Sequence, residues 1–406
     1  MFETGADIYD ALIVGGGPAG TSAAIRLATS GARVLLAEQK KFPRAKLCGE
    51  FISPECLAHF AELGVLDRIM AAGGARITET VFYTRKGRRV SVPSSWFGAG
   101  NAAAALGLSR AEMDERLLAR ARAAGVEVLE ETQATGLIEE GVRVCGVRLK
   151  TGGAKERACL SLVTIDATGR ARALARRVAR SDNSTLRVRK RAGLVAFKAH
   201  LEGAAGVPGQ CEIYSYAGGY GGLNSVENNL SNLCFIAAAQ DVKRCGGDAE
   251  KVMREVVYQN KRAAEALKTA RVASEWLCVA LESFGRGALV PVEGLLAIGD
   301  AASFIDPFTG SGMLMALESG ELAATVSARW LPKLRVSATN ESWRKLASDY
   351  GELYDERFGR RLRVCAMLRR AAFVPRLNEI AIFALGASTR VRQCVTRATR
   401  APVSLT

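Results

Sequence analysis

The residues best suited to bind a charged cofactor lie near the N-terminus, in the loop Gly15-x-Gly17-x-x-Gly20 and at Glu38. Gly15 permits a tight turn, Gly17 lets the backbone approach a phosphate group, and Gly20 lets a helix pack closely on a strand. Free N–H groups at the helix start, around Ala19, would bind pyrophosphate oxygens. Glu38 follows Gly20 by 18 residues, where a carboxylate can accept hydrogen bonds from ribose hydroxyls. The pattern predicts a bound adenine dinucleotide.

The neighbouring segments read as the βαβ unit that such a loop requires. The apolar run Ala11–Val14 predicts a buried strand, and residues 33–37 predict a second one. Between them an alanine-rich helix extends to Ser30, and Gly31 ends it. A glycine loop alone is a weak signal, but here the strands, the helix and the acidic residue are all present.

Composition limits the protein class. A chain of 406 residues has the length of two domains, and its ten cysteines include no CxxC pair, which is typical of reduced cytosolic thiols. We expect no signal peptide, and no apolar run approaches about 18 residues. The sequence therefore predicts a cytoplasmic protein, with contact to a membrane surface as an open alternative.

The net charge of +15 is spread along the chain without an aromatic-interleaved basic stripe, so we expect no nucleic-acid partner. The charge favours acidic partners, such as an anionic membrane surface, a carrier protein or a phosphorylated substrate. Simple solubility is the alternative explanation. With only His59 and His200 in the chain, we expect no histidine-based acid–base chemistry and no metal site, and we expect both histidines to be packed or surface residues.

Three further segments extend the candidate site. Residues 160–170 predict a buried strand that ends in Asp166-Ala-Thr-Gly169. Arg110 opens a helix that runs to about Ala124, with Ser109 as its N-cap. Residues 295–320 predict a strand, a turn, a loop and a long helix beginning near Ser311, and they contain Asp300, Asp306, Pro307, Gly310, Gly312 and Met313. The dipole and free N–H groups of that helix would stabilise negative charge on a bound cofactor.

In order and spacing, these segments resemble the flavoprotein superfamily that includes p-hydroxybenzoate hydroxylase, the geranylgeranyl reductases and the flavin-dependent halogenases. The resemblance spans residues 9 to about 325 and implies that the dinucleotide is FAD. It implies that Asp300 binds the ribityl chain, that Asp166–Gly169 lies near the pyrophosphate, and that Arg110 contacts the cofactor. Because the chain has no second glycine-loop unit, NADPH or NADH would bind transiently as reductant.

The stretch Lys46-Leu-Cys48-Gly49-Glu50 most resembles the geranylgeranyl reductase branch, in which a Cys-Gly pair reaches the flavin. Cys48 would either shape or protonate the substrate, or pack on FAD as a small residue. Arg44 and Lys46 would pair with the diphosphate or with Glu50.

In that branch a Tyr-x-Trp-x-Phe-Pro signature lines the prenyl cavity, whereas this chain has Gly218–Leu223 in its place and retains only Tyr220. The halogenase Trp-x-Trp-x-Ile-Pro signature is also absent. We expect more space above the flavin, and we expect Tyr214, Tyr216 and Tyr220 to share one strand face.

The predicted fold class is α/β: a Rossmann-like FAD-binding domain (GR2 type), an inserted mixed β-sheet substrate domain and a helical C-terminal cap. The FAD-binding domain would comprise residues 1–75, 100–185 and 285–330. The substrate domain would comprise 76–99, with a hairpin at Lys86-Gly87, and 186–284, with a helix over Lys251–Leu267. Residues 331–406 would form the helical region, either capping the FAD-binding domain or lying on a membrane.

The predicted activity is that of an FAD-dependent oxidoreductase on a hydrophobic small molecule, free or bound to a carrier protein. The reaction that we expect first is reduction of a double bond by hydride from reduced FAD. NAD(P)H-dependent hydroxylation of an aromatic or polyketide-type substrate through a C4a-hydroperoxide is the alternative. The intact motifs argue against a flavin-fold protein without redox function. Cys48 and Tyr220 are the catalytic candidates, and the predicted cofactor-binding residues are Gly15, Gly17, Ala19, Gly20, Glu38, Arg44, Cys48, Gly49, Arg110, Asp166, Gly169, Asp300, Pro307, Gly310, Gly312 and Met313.

Overall fold

The computed structural model describes residues 8–97, 104–181, 193–281, 284–306, 308, 310–372, 382 and 384–400. Apolar runs form the strands of its first half, and alanine- or arginine-rich amphipathic segments form the helices. These elements are β1 (Ile8–Val14), α1 (Pro18–Thr29), β2 (Val34–Ala37), β3 (Phe51–Ile52), α2 (Pro54–Glu62), α3 (Leu66–Met70), β4 (Ala75–Ile77), β5 (Glu79–Tyr83), β6 (Arg89–Pro93), β7 (Ala105–Gly107), α4 (Arg110–Ala123), β8 (Glu127–Leu129), β9 (Thr132–Glu140), β10 (Arg143–Thr151), β11 (Arg157–Asp166) and α5 (Ala175–Ser181).

The second half begins with antiparallel strands and ends in long helices. Its elements are β12 (Leu194–Glu202), β13 (Gln210–Tyr216), β14 (Gly219–Ser225), β15 (Ser231–Ala238), α6 (Ala239–Arg244), α7 (Ala249–Glu255), α8 (Lys261–Leu267), β16 (Arg271–Val272), β17 (Leu277–Leu281), β18 (Gly285–Arg286), β19 (Leu295–Ala297), β20 (Ser303–Phe304), α9 (Gly312–Val336), α10 (Asn340–Ala372) and α11 (Thr389–Ala398).

The N-terminal βαβ unit lies at the centre of a seven-stranded sheet, here called the floor sheet, in the order β8-β2-β1-β11-β10-β9 with β19 paired to β11. Strands β8, β2, β1, β11 and β19 run parallel. Their carboxyl ends therefore meet at one edge, where the register pairs Val14 with Asp166 and Asp166 with Ala297. In open α/β sheets this edge forms the ligand crevice.

Eight strands form a second sheet, here called the roof sheet, in the order β16-β12-β15-β14-β13-β5-β6 with β17 paired to β12. The β5–β13 pair is parallel and the others are antiparallel, so the sheet is mixed, as predicted. Its strands come from residues 79–93 and 194–281. The exact domain boundaries stay a prediction. The far face buries Phe197, Tyr214 and Phe235 against α7 and α8.

The single helix expected over Lys251–Leu267 is wrong, because α7 and α8 are separated by a short 3-10 turn and Asn260. The Asn260 side chain caps α8 by accepting from Ala263 N, and its amide donates to the carbonyls of Tyr83 and Thr84. A polar group fully buried behind the roof sheet needs such partners, and they fix the helix break there.

Two long helices, α9 and α10, pack on the floor sheet beyond residue 312. Their shared core contains Trp343, Tyr350 and Phe358, and Arg361 forms a buried ion pair with Glu318, Nη1 to Oε2, at 2.6 Å. Helix α11 contacts the turn Ser94–Trp96 below the roof sheet. Among the described residues, no helix combines the length and hydropathy needed to cross a membrane.

Candidate active site

A cavity of about 1040 Å³ lies between the carboxyl edge of the floor sheet and the roof sheet. This volume is at the upper end of the roughly 300–1,000 Å³ of ordinary ligand sites. One side is lined by the glycine loop, by the start of α9 and by the turn Cys48-Gly49-Glu50, here called the Cys48 turn. Roof strands line the other side. The space can therefore hold an elongated cofactor together with a substrate.

The glycine loop cannot carry larger residues at two positions. Gly15 has φ +115°, and a Cβ there would lie 2.3 Å from Ala167 O, while a Cβ on Gly20 would lie 1.9 Å from Gly15 O. Gly20 packs α1 on β1 and does not line the cavity, whereas Gly15, Gly17 and Ala19 do. Helix α1 then begins at Pro18 with its N-terminus at the cavity.

Glu38 is 5% exposed and lies at the end of β2. Its Oε2 accepts from Gly16 N at 2.9 Å, and its Oε1 accepts from Lys40 N at 3.0 Å and from Arg44 Nη2 at 3.1 Å. These bonds hold the carboxylate at the rim of the cavity, where a ribose would bind.

Two cations lie beside Gly17 and share one buried carboxylate. Arg110 binds Asp114 through Nε at 2.9 Å and Nη2 at 2.8 Å, and Lys46 Nζ lies 3.2 Å from Asp114 Oδ2. Burial alone would raise the pKa of Asp114, but the two cations hold it below its ordinary value. Because two positive charges face one negative charge at the helix start, the site fits a pyrophosphate.

The predicted pairing of Arg44 or Lys46 with Glu50 is wrong, since Arg44 binds Glu38 and Lys46 binds Asp114. Ser109 caps α4 as predicted, with its side chain accepting from Glu112 N.

Asp166 does not line the cavity. Its carboxylate accepts from Thr168 N, Thr168 Oγ1, Leu174 N and Ala175 N, at 2.6–3.1 Å. It therefore shapes the following loop, and Gly169, at φ +67°, lines the cavity.

Asp300 lines the cavity and is half-buried. Among the described residues, none donates a hydrogen bond to the Asp300 carboxylate. Burial raises the pKa of this carboxyl group. A half-buried carboxylate facing the cavity fits a ligand rich in hydroxyl groups, such as the ribityl chain of FAD.

The start of α9 completes the cofactor side. Gly310, Gly312 and Met313 line the cavity, and a Cβ on Gly312 would meet nothing within 4 Å. A Cβ on Gly310 would lie 3.4 Å from Phe51 Cδ1, so this loop packs on the Cys48 turn. The predicted site residue Pro307 lies outside the described residues.

The remaining part of the cavity, here called the chamber, lies between the Cys48–Gly49 turn and the roof sheet. Gly222 faces it, and a Cβ there would lie 3.3 Å from Ile213 Cδ1. Cys48 and Cys234 place thiols on the chamber wall, and Arg110 lies next to the Cys48 sulfur. The other lining residues are largely apolar: Phe82, Val90, Val92, Ala196, Ile213, Ile236, Leu281, Phe304 and Phe308.

Tyr220 lines the chamber, and its hydroxyl donates to Asp306. Burial and the neighbouring Asp306 raise the pKa of Tyr220 well above 10, so the phenol is neutral. Asp306 Oδ1 also accepts from Phe308 N at 3.0 Å, and Arg369 Nε lies 3.1 Å from Asp306 Oδ2. The Tyr220 hydroxyl is thus bound within a buried network.

The expectation that the three tyrosines share one face is wrong. Tyr220 pairs with Ser215, and Tyr216 pairs with Gly219, because a two-residue turn joins β13 to β14. Paired residues face the same side of a sheet, so Tyr220 points to the chamber while Tyr214 and Tyr216 point to the helices behind it.

Sequence reasoning missed the partners of Glu50. Lys198 Nζ lies 2.8 Å from Glu50 Oε1, and His200 Nε2 lies 2.6 Å from Glu50 Oε2. Lys198 and His200 are two residues apart in a strand whose other residues from Leu194 to Leu201 are apolar, which was the available signal. His200 is packed against the Cys48 turn, and its bond to Glu50 is the part that the sequence did not indicate.

Comparison with known proteins agrees with this geometry. A family model described as an FAD binding domain matches residues 8–324. The digeranylgeranylglycerophospholipid reductase of Methanosarcina acetivorans is 29% identical over 87% of this chain and 82% of its own length. The menaquinone reductase of Mycolicibacterium smegmatis is 26% identical over 78% of this chain and 75% of its own length.

Solved structures show the same fold. A flavin-dependent brominase superposes with a TM-score of 0.79 at 21% identity, covering 97% of this chain and 93% of its own. A geranylgeranyl bacteriochlorophyll reductase-like protein from Thermoplasma acidophilum superposes with a TM-score of 0.77 at 20% identity, covering 97% and 96%. Because the family model covers most of the chain and the cleft fits the cofactor, the protein belongs to the FAD-binding-domain family and is an FAD-dependent oxidoreductase.

Proposed function

We propose that the enzyme reduces a carbon–carbon double bond in an elongated, apolar substrate of the prenyl-lipid or prenyl-quinone class, with NADPH or NADH as the reductant. The observation that carries this proposal is the apolar chamber beside the cofactor cleft. Relatives named as a digeranylgeranylglycerophospholipid reductase and a menaquinone reductase support it.

Bound FAD, once reduced by the nicotinamide, supplies hydride transfer. The cofactor would be held by the glycine loop, by Glu38 at the ribose, by Lys46 and Arg110 at the pyrophosphate, and by Asp300 at the ribityl chain. The apolar walls would exclude water and orient the substrate chain, and the glycine at position 222 leaves room for its width.

Addition of hydrogen across a double bond needs a proton as well as a hydride. Cys48 places a thiol on the chamber wall and would donate its proton to the second carbon, then regain one from solvent. The Tyr220 hydroxyl already donates to Asp306, so it is less available for this step.

The positive charge of the C-terminal helices supports substrate delivery by an acidic partner. Residues 357–400 contain eleven arginines against one acidic residue, Glu379. Arg360, Arg363, Arg390 and Arg397 are exposed, and α11 also lines the cavity through Arg392 and Val395. An anionic membrane surface is the partner that suits a lipid substrate, and a carrier protein is the alternative.

The test is a single turnover of the FAD-loaded enzyme, reduced by NADPH without oxygen and then mixed with menaquinone or a geranylgeranyl lipid. The proposal expects a product whose isoprenoid chain has gained two hydrogen atoms, as read by mass spectrometry after any quinol has been reoxidised to the quinone. A product that gains an oxygen atom only when oxygen is admitted would overturn it in favour of hydroxylation. Cys48→Ala should retain FAD and its reduction by NADPH but lose turnover. Cys234 is another thiol on the chamber wall, and Cys234→Ala should retain FAD, its reduction by NADPH and turnover.

A further inference from the structure

The turn Cys48-Gly49-Glu50 is the place where the roof sheet is joined to the cofactor side of the cleft. Asn232 Nδ2 donates to Cys48 O at 3.2 Å, and Asn224 Nδ2 donates to Glu50 O at 3.3 Å. The Glu50 side chain binds two further roof residues, Lys198 and His200. Four side chains from three roof strands thus converge on one three-residue turn.

Glu50 is the centre of this arrangement. It is fully buried, its backbone has φ +53°, and its Oε1 also accepts from Arg110 N at 2.9 Å. Few non-glycine residues adopt that conformation, so the surrounding bonds must stabilise it. Burial alone would raise the pKa of Glu50, but the hydrogen bond from His200 and the charge of Lys198 hold it below its ordinary value.

Lys198 is only 2% exposed, whereas the His200 side chain is 15% exposed. The Glu50 carboxylate therefore neutralises a buried ammonium group that has little access to water. Glu50 lines the same cavity as Cys48 and Gly312, and Lys198 is buried directly behind it, so little bulk solvent screens this pair from a bound flavin.

We propose that Glu50 is a positioning residue with two effects: it fixes the Cys48–Gly49 turn beneath the roof sheet, and it cancels the charge of Lys198 beside the flavin. Loss of Glu50 leaves the buried Lys198 ammonium without its carboxylate, and loss of Lys198 leaves the Glu50 carboxylate with only its hydrogen bonds to His200 and Arg110 N. Reduction adds negative charge to the flavin, so a nearby positive charge raises its reduction potential and a nearby negative charge lowers it.

The test is a redox titration of the FAD-loaded protein without substrate, and its outcome is independent of which substrate the enzyme reduces. Glu50→Gln should shift the flavin midpoint potential upward, and Lys198→Met should shift it downward. The double variant Glu50→Gln/Lys198→Met should return close to wild type. A purely structural role would not give opposite signs.

Glu212→Gln is the matched control. Glu212 is also buried in the roof sheet and ion-paired, with Arg262 Nη2 to Oε1 at 2.8 Å, but neither member of this pair lines the cleft, whereas Glu50 does. All single variants should lower the melting temperature of the apoprotein, and Glu212→Gln should leave the potential unchanged.

Equal or same-direction shifts in Glu50→Gln and Lys198→Met would overturn the proposal, as would a shift of the same size in Glu212→Gln. If Glu50→Gln does not accumulate as folded protein, Lys198→Met decides alone, and an unchanged or raised potential in that variant would refute the proposal.

Discussion

The two ends of the cleft contain buried acid–base clusters built in opposite ways. At the dinucleotide end, Arg110, Asp114 and Lys46 come from one helix and a nearby loop, and the cluster has an excess of positive charge. At the chamber end, Glu50 meets Lys198 and His200 across about 150 residues of sequence, 148 and 150 respectively. The first cluster leaves charge for a phosphate, whereas the second neutralises charge inside an apolar space.

The two clusters suit one cleft to two different ligands. The end where glycines open the backbone and cations exceed anions fits an anionic cofactor. An apolar substrate needs walls in which every polar group already has a hydrogen-bond partner, as the Tyr220 hydroxyl has in Asp306. Substitutions at the dinucleotide end should therefore affect FAD binding, and substitutions in the chamber should affect substrate choice.

The largest effect is expected at Gly20. In Gly20→Ala the new Cβ would lie 1.9 Å from Gly15 O, so backbone must move and unfolding free energy should fall by more than about 4 kcal/mol. Chemical denaturation of the apoprotein measures this. Gly312→Ala is the control, because its Cβ meets nothing within 4 Å. It should leave apoprotein stability intact and weaken only FAD binding, and equal loss in both variants would contradict the steric argument.

Asp114→Asn should destabilise the apoprotein by about 3–5 kcal/mol, because it leaves Arg110 and Lys46 buried without their carboxylate. FAD should recover part of this loss, since its pyrophosphate supplies negative charge. Melting temperatures with and without FAD test the difference. Glu341→Gln breaks an exposed ion pair with Lys345, and it should change neither the melting temperature of the apoprotein nor that of the FAD-loaded protein.

The ion pairs of Asp114 with Arg110 and Lys46 also predict how the stability of the protein depends on pH. The pKa of folded Asp114 lies below its ordinary value of 3.8, so its stabilisation is present above that pH and is lost as pH falls through the folded pKa. The stability advantage of wild type over Asp114→Asn should be constant near neutral pH and shrink in acid. An advantage that grows as pH falls would contradict the assignment.

Gly222→Phe should narrow the chamber without disturbing the cofactor. We expect a bulky prenyl substrate to lose roughly 10–200-fold in kcat/KM, with FAD content unchanged. Gly221→Ala is the matched neighbour, because its Cβ would lie 3.0 Å from Phe235 Cβ, within the core behind the roof sheet. That variant should lose stability but retain substrate selectivity. Unchanged kcat/KM in Gly222→Phe together with altered substrate selectivity in Gly221→Ala would show that the chamber is not the substrate site.

The smallest effect is expected for Tyr220→Phe. Asp306 would lose one donor but keep Phe308 N and Arg369, so the cost should be about 1 kcal/mol. Turnover should change little, because the phenol is engaged with Asp306. A large fall in kcat with unchanged stability would instead identify Tyr220 as a proton donor.

The backbone features of the cofactor end could be predicted because their signals are local, whereas the Asp114 carboxylate shared by Arg110 and Lys46 was not predicted. Residues Gly15–Gly20 need special backbone geometry, Ser109 caps the helix it precedes, and the acidic Glu38 follows its own strand. Each depends on contacts that short-range sequence spacing already specifies. The α/β class and FAD as cofactor follow from these residues together with the family resemblance.

The chamber end was decided only by tertiary structure. The face that Tyr220 presents depends on the β13–β14 register, which a single residue of slip would reverse. The bonds of Glu50 to Lys198 and His200 join segments that sequence spacing does not relate. The glycine-loop geometry is a property of consecutive residues, so the sequence was enough to locate it. The chamber's polar partners depend on how two sheets dock, and no local pattern specifies that docking.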